Sequence, residues 1–235
     1  MKPEQVVSQA EWLQARLELM AREKAFTQER EALAAARRAL PWVRVEAEYR
    51  FDSAEGEVGL ADLFGSSSQL IAYHFMFDTD WEAGCPSCSF WADNYNGVLE
   101  HLAARDVALA VVSKAPLEKL LAFRERMGWR FNWVSSPNNI FGRDFGVSFS
   151  EEQLTSGEAR YNLGTSSARM PESPGVSVFA RDGDAIYHTY SSYARGLDVL
   201  NGAYHHLDIV PGGRDEADLP FSMAWVRRRD EYAKP

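Results

Sequence analysis

DTDWEAGCPSCSFW, residues 78–91, is the stretch whose reading decides the fold. It follows QLIAYHFMF (69–77), an apolar run with the length and β propensity of a central buried strand. A short acidic loop, Asp78 to Gly84, leads to Cys85, and Pro86 suits the first turn of a helix expected to continue to about Arg105. Cys85-Pro86-Ser87-Cys88 therefore sits at a strand-to-helix junction. A helix N-terminus offers free N–H groups and the positive end of the macrodipole, and both favour a thiolate at Cys85. The thiolate is the nucleophile. Cys88, one turn on and more buried, would resolve a mixed disulfide.

Working outward, the elements alternate. VALAVVS (107–113) reads as a second buried strand. Pro116 opens a helix to Met127, which Gly128 closes. Phe131 to Ser135 is extended. Val176 to Ala180, a turn at 181–184 and Ala185 to Ser191 form a hairpin, followed by a helix ending near Leu207. Upstream, WVRVEAEYRFD (42–52) alternates like one strand. Asn138 to Gly175 is rich in Gly, Ser, Asn and Pro and is expected to be a long insertion with little regular structure.

Strand–helix alternation with a closing hairpin predicts an α/β fold, a thioredoxin-like mixed sheet with flanking helices. Three segments are expected: a helical extension (1–40), the thioredoxin-like domain (41–210) and a loop-like tail (211–235). Ser8 to Leu40 reads as one long helix carrying Trp12, Leu17, Phe26 and Leu33, either packed on its own domain or joining two copies as a homodimer. Arg227-Arg228-Arg229 reads as a solvated helix face.

The chain has 235 residues, 46% of them hydrophobic, and a formal net charge of −9, which argues against nucleic acid as a partner. No apolar segment spans a bilayer, and the first residues lack a secretory core, so a cytoplasmic protein without a membrane partner is expected. Only two cysteines occur, too few for a secreted disulfide scaffold. The pair reads as redox-active, as half of a metal site, or as structural. Redox is favoured because a zinc site needs two more ligands, and the adjacent pair His205-His206 lies far along the chain. No metal and no cofactor are expected. The expected partner is a disulfide, in a protein or a small molecule.

Around the dithiol, Trp81 and Gly84 are candidate substrate-binding residues, and Asp80 and Glu82 candidate proton acceptors. Pro174 precedes the strand expected to face the dithiol, where thioredoxin-fold proteins carry a cis-proline whose backbone pairs with substrate. Pro171 competes for that role. His74 reads as a hydrogen-bonded core residue. His188 could approach the dithiol, as in a copper chaperone, although such proteins space their cysteines more widely. No G-x-S-x-G, phosphate-binding or dinucleotide glycine pattern is present.

The chain resembles the bacterial family called domain of unknown function 899, thioredoxin-like proteins predicted to be dithiol–disulfide oxidoreductases. The carrying segments are LPWVRVEAEYRFD (40–52), LADLFGSSSQLIAYHFMF (60–77), DWEAGCPSCSFWADNYNG (80–97), RMGWRFNWVSS (126–136), DFGVSF (144–149) and MAWVRRRDEY (223–232). The resemblance implies a thioredoxin fold and a redox role, with the dithiol on Cys85 and Cys88, and supplies no substrate. The layout from Tyr49 to Cys88 also resembles the peroxiredoxin and thiol-reductase branch. Peroxiredoxins carry Thr or Ser three residues before the peroxidatic cysteine, and Glu82 stands there, which argues against a thiol peroxidase. Competing functions are that peroxidase and a thioredoxin-fold binding module that carries a metal or docks a partner.

Overall fold

A computed structural model of the chain describes residues 5–138 and 140–233. Residues 1–4, 139 and 234–235, which fall within the expected extension, insertion and tail, lie outside the described residues. The chain divides into two units, Met1–Pro41 and Trp42–Pro235.

The first unit is one helix, α1 (Gln9–Arg38). Ser8 and Glu11 start it with a reciprocal capping box: the Ser8 hydroxyl accepts from the Glu11 N–H at 3.3 Å, and the Glu11 carboxylate accepts from the Ser8 N–H at 2.9 Å.

The second unit is built on an eight-stranded sheet. Its strands are β1 (Val43–Arg44), β2 (Arg50–Ser53), β3 (Gly56–Gly59), β4 (Gln69–His74), β5 (Val107–Ser113), β6 (Asn132–Ser135), β9 (Gly175–Asp182) and β10 (Ala185–Tyr193), in the order β1-β10-β9-β4-β5-β6-β2-β3. The short pair β7 (Arg160–Tyr161) and β8 (Ser166–Ser167) stands apart. β4 lies between parallel β5 and antiparallel β9, and β6 continues the parallel run. This is the thioredoxin-like fold: a central strand leading to the dithiol, a parallel neighbour on one side and the closing hairpin on the other.

β4 reads as a continuous apolar run because both its faces are covered. Tyr73, with Phe75 and Phe77 beyond it, faces a core shared with Cys88, Trp91, Leu120, Phe123, Trp129 and Trp133. Leu70 and Ala72 face the opposite core of Phe141, Phe145, Val134 and Phe179. Each large side chain so buried contributes roughly 1.5–3 kcal/mol of transfer free energy.

Four expectations change. The run 42–52 is not one strand: β1 pairs with β10 and β2 with β3 and β6, at opposite edges of the sheet. The helix opened by Cys85 is short. It is α2 (Pro86–Ala92), followed by a 3-10 turn at Tyr95–Gly97 and α3 (Leu99–Ala103). Asn94 causes the break, because its side-chain amide donates to the carbonyls of Phe90 and Trp91 and competes with the helical ladder. Between them, β5 and β6 flank α4 (Leu117–Met127), which Gly128 ends in the left-handed conformation as expected.

The third change is the insertion, whose described residues are ordered. It holds α5 (Ile140–Asp144) and α6 (Glu151–Ser156), the latter started by a Ser150–Gln153 capping box and ended by left-handed Gly157, as well as the β7/β8 pair. The polar residues that read as loop are caps and turns. The last helix also divides, into a 3-10 segment at Ala194–Leu200 and α7 (Gly202–Leu207).

The tail from Pro211 lacks helices and strands among the described residues and is fixed by side chains. One oxygen of Glu216 accepts from Trp225 Nε1 at 2.7 Å, the Tyr204 hydroxyl at 2.8 Å and the Met223 N–H at 3.1 Å. Burial pushes the Glu216 carboxyl up, but these three donors outweigh it and hold it below the usual carboxylate range. A depressed carboxyl stabilises the fold fully above its unfolded pKa and loses that contribution as pH falls through its folded value. Glu216→Gln is therefore expected to cost about 1–2 kcal/mol near neutral pH. The parent should keep this contact until the pH falls below the ordinary carboxylate range. Tryptophan emission during urea unfolding checks both statements. Equal midpoints for parent and variant at pH 7 would count against them.

Candidate functional site: a buried dithiol at the end of β4

Pairing with β5 continues beyond β4: the Phe75 N–H donates to Val112 O at 2.9 Å, and the Ala115 N–H to Phe77 O at 2.8 Å. The chain then loops and returns, and the backbone of Met76 ties both cysteines down. Its carbonyl accepts from the Cys85 N–H at 3.1 Å, and its N–H donates to Cys88 Sγ at 3.4 Å. The loop 78–82 is held from the β5–α4 side. Lys114 pairs with Asp78 at 2.9 Å, and Lys119 donates to the carbonyls of Thr79 and Trp81 at 2.7 and 3.3 Å. Asp78 is thus a buried ion-pair partner.

Both cysteines are free thiols. Cys85 is the N-cap of α2 and partly exposed, whereas Cys88 is 2% exposed. Their environments push them in opposite directions. The Cys88 side chain donates to the Cys85 sulfur, which is the largest influence on it. Burial opposes ionisation, and the backbone N–H groups of Cys88 and Ser87 and the charge of Arg228 favour it, so the pair loses its first proton at about 6. Cys88 is pushed well above the usual thiol range by burial and then by the neighbouring Cys85. α2 has seven residues, so the local N–H donors, not a long aligned dipole, supply the helix's share.

Phenols crowd Cys88. The Tyr73 hydroxyl lies 3.4 Å from the Cys88 carbonyl, and Tyr95 packs edge-on to Tyr73 at 5.2 Å. Burial raises the pKa of both, with the Cys88 charge adding to it, so both phenols stay neutral.

The other sequence candidates divide. Trp81 is half-buried and packs against the core on the dithiol side. Asp80 and Glu82 are exposed, and no hydrogen bond joins either to a sulfur among the described residues. Gly84 is buried, and a Cβ there would stand 2.6 Å from the Phe75 ring and 2.9 Å from that of Phe123, so its first role is packing. Pro174 stands one step past the Gly175↔His74 pair, facing the end of β4. Among the described residues no peptide bond is cis, so neither Pro174 nor Pro171 is the expected cis-proline. The Pro174 carbonyl accepts from the Tyr161 hydroxyl at 2.6 Å.

His188 does not approach the dithiol. It packs on Phe145 and Phe179 in the core on the opposite face of the sheet, in a chain His188–Ser191–Ser177–His74 with separations of 2.8, 2.9 and 2.9 Å. His74 is the hydrogen-bonded core residue expected, and burial drops its pKa to about 3. Among the described residues no three His, Cys, Asp or Glu side chains are grouped to hold a metal. No helix there is long and apolar enough to cross a membrane.

Arg228 was missed in the sequence. It lies in MAWVRRRDEY (223–232), and its guanidinium donates twice to the carbonyl of Gly84, the residue before Cys85. Composition marks the triplet 227–229 as solvated. The signal available was its place in a family-carrying segment.

The chain belongs to the DUF899 family, bacterial proteins of unknown function. The family model matches residues 1–232, which takes in both the dithiol and the segment of Arg228. No curated protein matches the chain. Among solved structures this DUF899 member is similar to the peroxidoxin BcpB of Mycobacterium tuberculosis, at 16% identity and a TM-score of 0.47 over 68% of this chain and 93% of that one. It is also similar to a mutant of peroxiredoxin Q from Xanthomonas campestris (14%, 0.46, 67% and 90%) and to a mutant of peroxiredoxin 6 from Arenicola marina (13%, 0.48, 69% and 71%).

Proposed function

We propose that the protein is a thiol–disulfide oxidoreductase in which Cys85 attacks and Cys88 resolves. The observation that carries this reading is the split between the two sulfurs. A partly exposed Cys85 is poised as thiolate, and a buried Cys88 keeps its proton and donates it to Cys85. An inert structural pair has no need of such asymmetry.

In the forward direction the Cys85 thiolate attacks one sulfur of a substrate disulfide. A Cys85–substrate disulfide forms and the other substrate sulfur leaves as thiolate. With Cys85 now neutral, Cys88 loses its hydrogen-bond acceptor. Its proton passes to the departing thiolate, and its sulfur attacks Cys85, closing the Cys85–Cys88 disulfide and releasing the second substrate sulfur as a thiolate, which takes its proton from water. Two electrons move from the dithiol to the substrate. The Met76 N–H, 3.4 Å from Cys88 Sγ, stabilises the charge as it develops there.

The test is reduction of insulin and of glutathione disulfide under a regenerating thiol. The parent is expected to turn over, Cys85→Ser to lose all dithiol-dependent activity, and Cys88→Ser to accumulate a mixed disulfide visible by mass. Parent-like turnover by Cys85→Ser would sink the reading.

A further inference from the structure

The C-terminal segment reaches the dithiol across 144 positions of sequence. Arg228 donates to the Gly84 carbonyl through Nε at 2.9 Å and Nη2 at 2.7 Å. Its Nη1 pairs with Glu231 at 2.7 Å, and its side chain is 17% exposed. Arg228 is itself held: the Glu231 N–H donates to its carbonyl at 2.8 Å, closing a turn. Arg126 on α4 grips that turn through Asp230 at 2.7 Å and Glu231 at 3.2 Å. Arg229 reaches Asp93, at the end of α2, at 3.6 Å. The strap therefore touches both the helix carrying Cys88 and the helix behind the Gly84 loop.

Gly84 is fixed from the other side by Phe75 and Phe123, and the Arg228 guanidinium lies 5.8 Å from the Phe123 ring. A carbonyl with two donors in a fork, backed by two rings, cannot rotate. The peptide that launches Cys85 is held in one orientation, with a cation beside it. Arginine suits this place, since a lysine supplies the charge but only a single prong.

The geometry points to Arg228 as a positioning residue of the dithiol: it clamps the Gly84 carbonyl and sets a positive charge beside Cys85 that favours the thiolate. This rests on the reading of Cys85 as the attacking sulfur. It makes the tail part of the active site. The charges around this sulfur support it: Arg228 acts on Cys85 in the direction of ionisation, after the Cys88 thiol and the N–H donors, while Glu231 moderates its field.

The test is the pH dependence of iodoacetamide alkylation of Cys85 in the full chain, read by mass, for the parent, Arg228→Gln and Arg228→Lys. Glutamine keeps a donor for Gly84 and removes the charge, whereas lysine keeps the charge. The midpoint should rise by about one pH unit in Arg228→Gln and by clearly less in Arg228→Lys. Circular dichroism melts check that each variant is folded. A parent-like midpoint in Arg228→Gln overturns the inference. So does Arg228→Lys displaced as far as Arg228→Gln, because a clamp without an electrostatic role predicts that. Should Arg228→Gln not fold, Arg228→Lys decides alone: a rise of a full unit overturns the inference. Alkylation needs no disulfide substrate. A parent inert towards insulin and glutathione disulfide would fell the exchange reading and leave this result standing.

Discussion

Alkylation of Cys85 by iodoacetamide is expected to titrate with a midpoint at about 6, well below an ordinary thiol, and to lose that position when Cys88 is replaced. At pH 6 about half of such a thiol is ionised, against about 0.3% of one with the usual pKa. Intrinsic nucleophilicity falls with pKa and removes about a factor of ten. The net advantage at pH 6 is about tenfold; the rate itself falls as the pH drops below the midpoint and the thiolate is protonated, and the advantage narrows as the pH rises and an ordinary thiol ionises too. The Cys88 side chain is the largest influence on Cys85, so Cys88→Ala is expected to raise the midpoint by at least about one unit. Cys88→Ser keeps an O–H donor and should shift it less. A Cys88→Ala midpoint equal to the parent's would show that the two sulfurs do not share a proton. Mass spectrometry after timed quenching reads all three proteins, and Cys88 should stay unmodified until the chain unfolds, being buried.

Gly84→Ala is expected to destabilise the domain by about 1–3 kcal/mol, the range for forcing a methyl into a packed core. The added carbon would meet Phe75 and Phe123 at 2.6 and 2.9 Å. Neither ring can move aside. Phe75 is 2% exposed and lies against Tyr73, Trp129 and Trp133, and Phe123 is 5% exposed against Phe77, Trp129 and Trp133. The strain must move the backbone at Gly84, and with it the carbonyl that Arg228 holds. Stability and the Cys85 titration should therefore change together. Gly97→Ala is the control: nothing lies within 4 Å of its Cβ position, and it should stay within about 0.5 kcal/mol of the parent. Urea unfolding followed by tryptophan emission compares them. If Gly84→Ala is as stable as Gly97→Ala, the packing account of Gly84 is wrong.

The neighbourhoods of Asp80 and Glu82 show how an adjacent residue can mislead. Five and three positions from Cys85 they look like proton acceptors, yet both residues are exposed and neither bonds a sulfur among the described residues. The largest influence on Cys85 is instead the Cys88 side chain, with backbone N–H groups and the charge of Arg228 adding smaller ones. His188 misleads in the opposite way. It lies on the strand next to β9, but the pleat turns it to the face away from the dithiol.

The sequence by itself determined what is local. An apolar run covered on both faces reads as β4, Pro116 and Gly128 bound α4, Ser8 with Glu11 starts α1, and Cys85 at a strand-to-helix junction marks the site. These signals act within a few residues, through dihedral preference, capping and hydrophobic period. Tertiary structure alone decided which distant pieces meet. Residues 43–44 and 50–53 share one alternating pattern and lie at opposite edges of the sheet, because alternation specifies a face and not a partner. Arg228 and Gly84 carry no mutual signature either. A guanidinium meets a carbonyl there because Arg126, Asp230, Glu231 and Asp93 steer the tail across two helices. The dithiol and the order of its two sulfurs were legible in the sequence, and the contacts that set them apart came from packing.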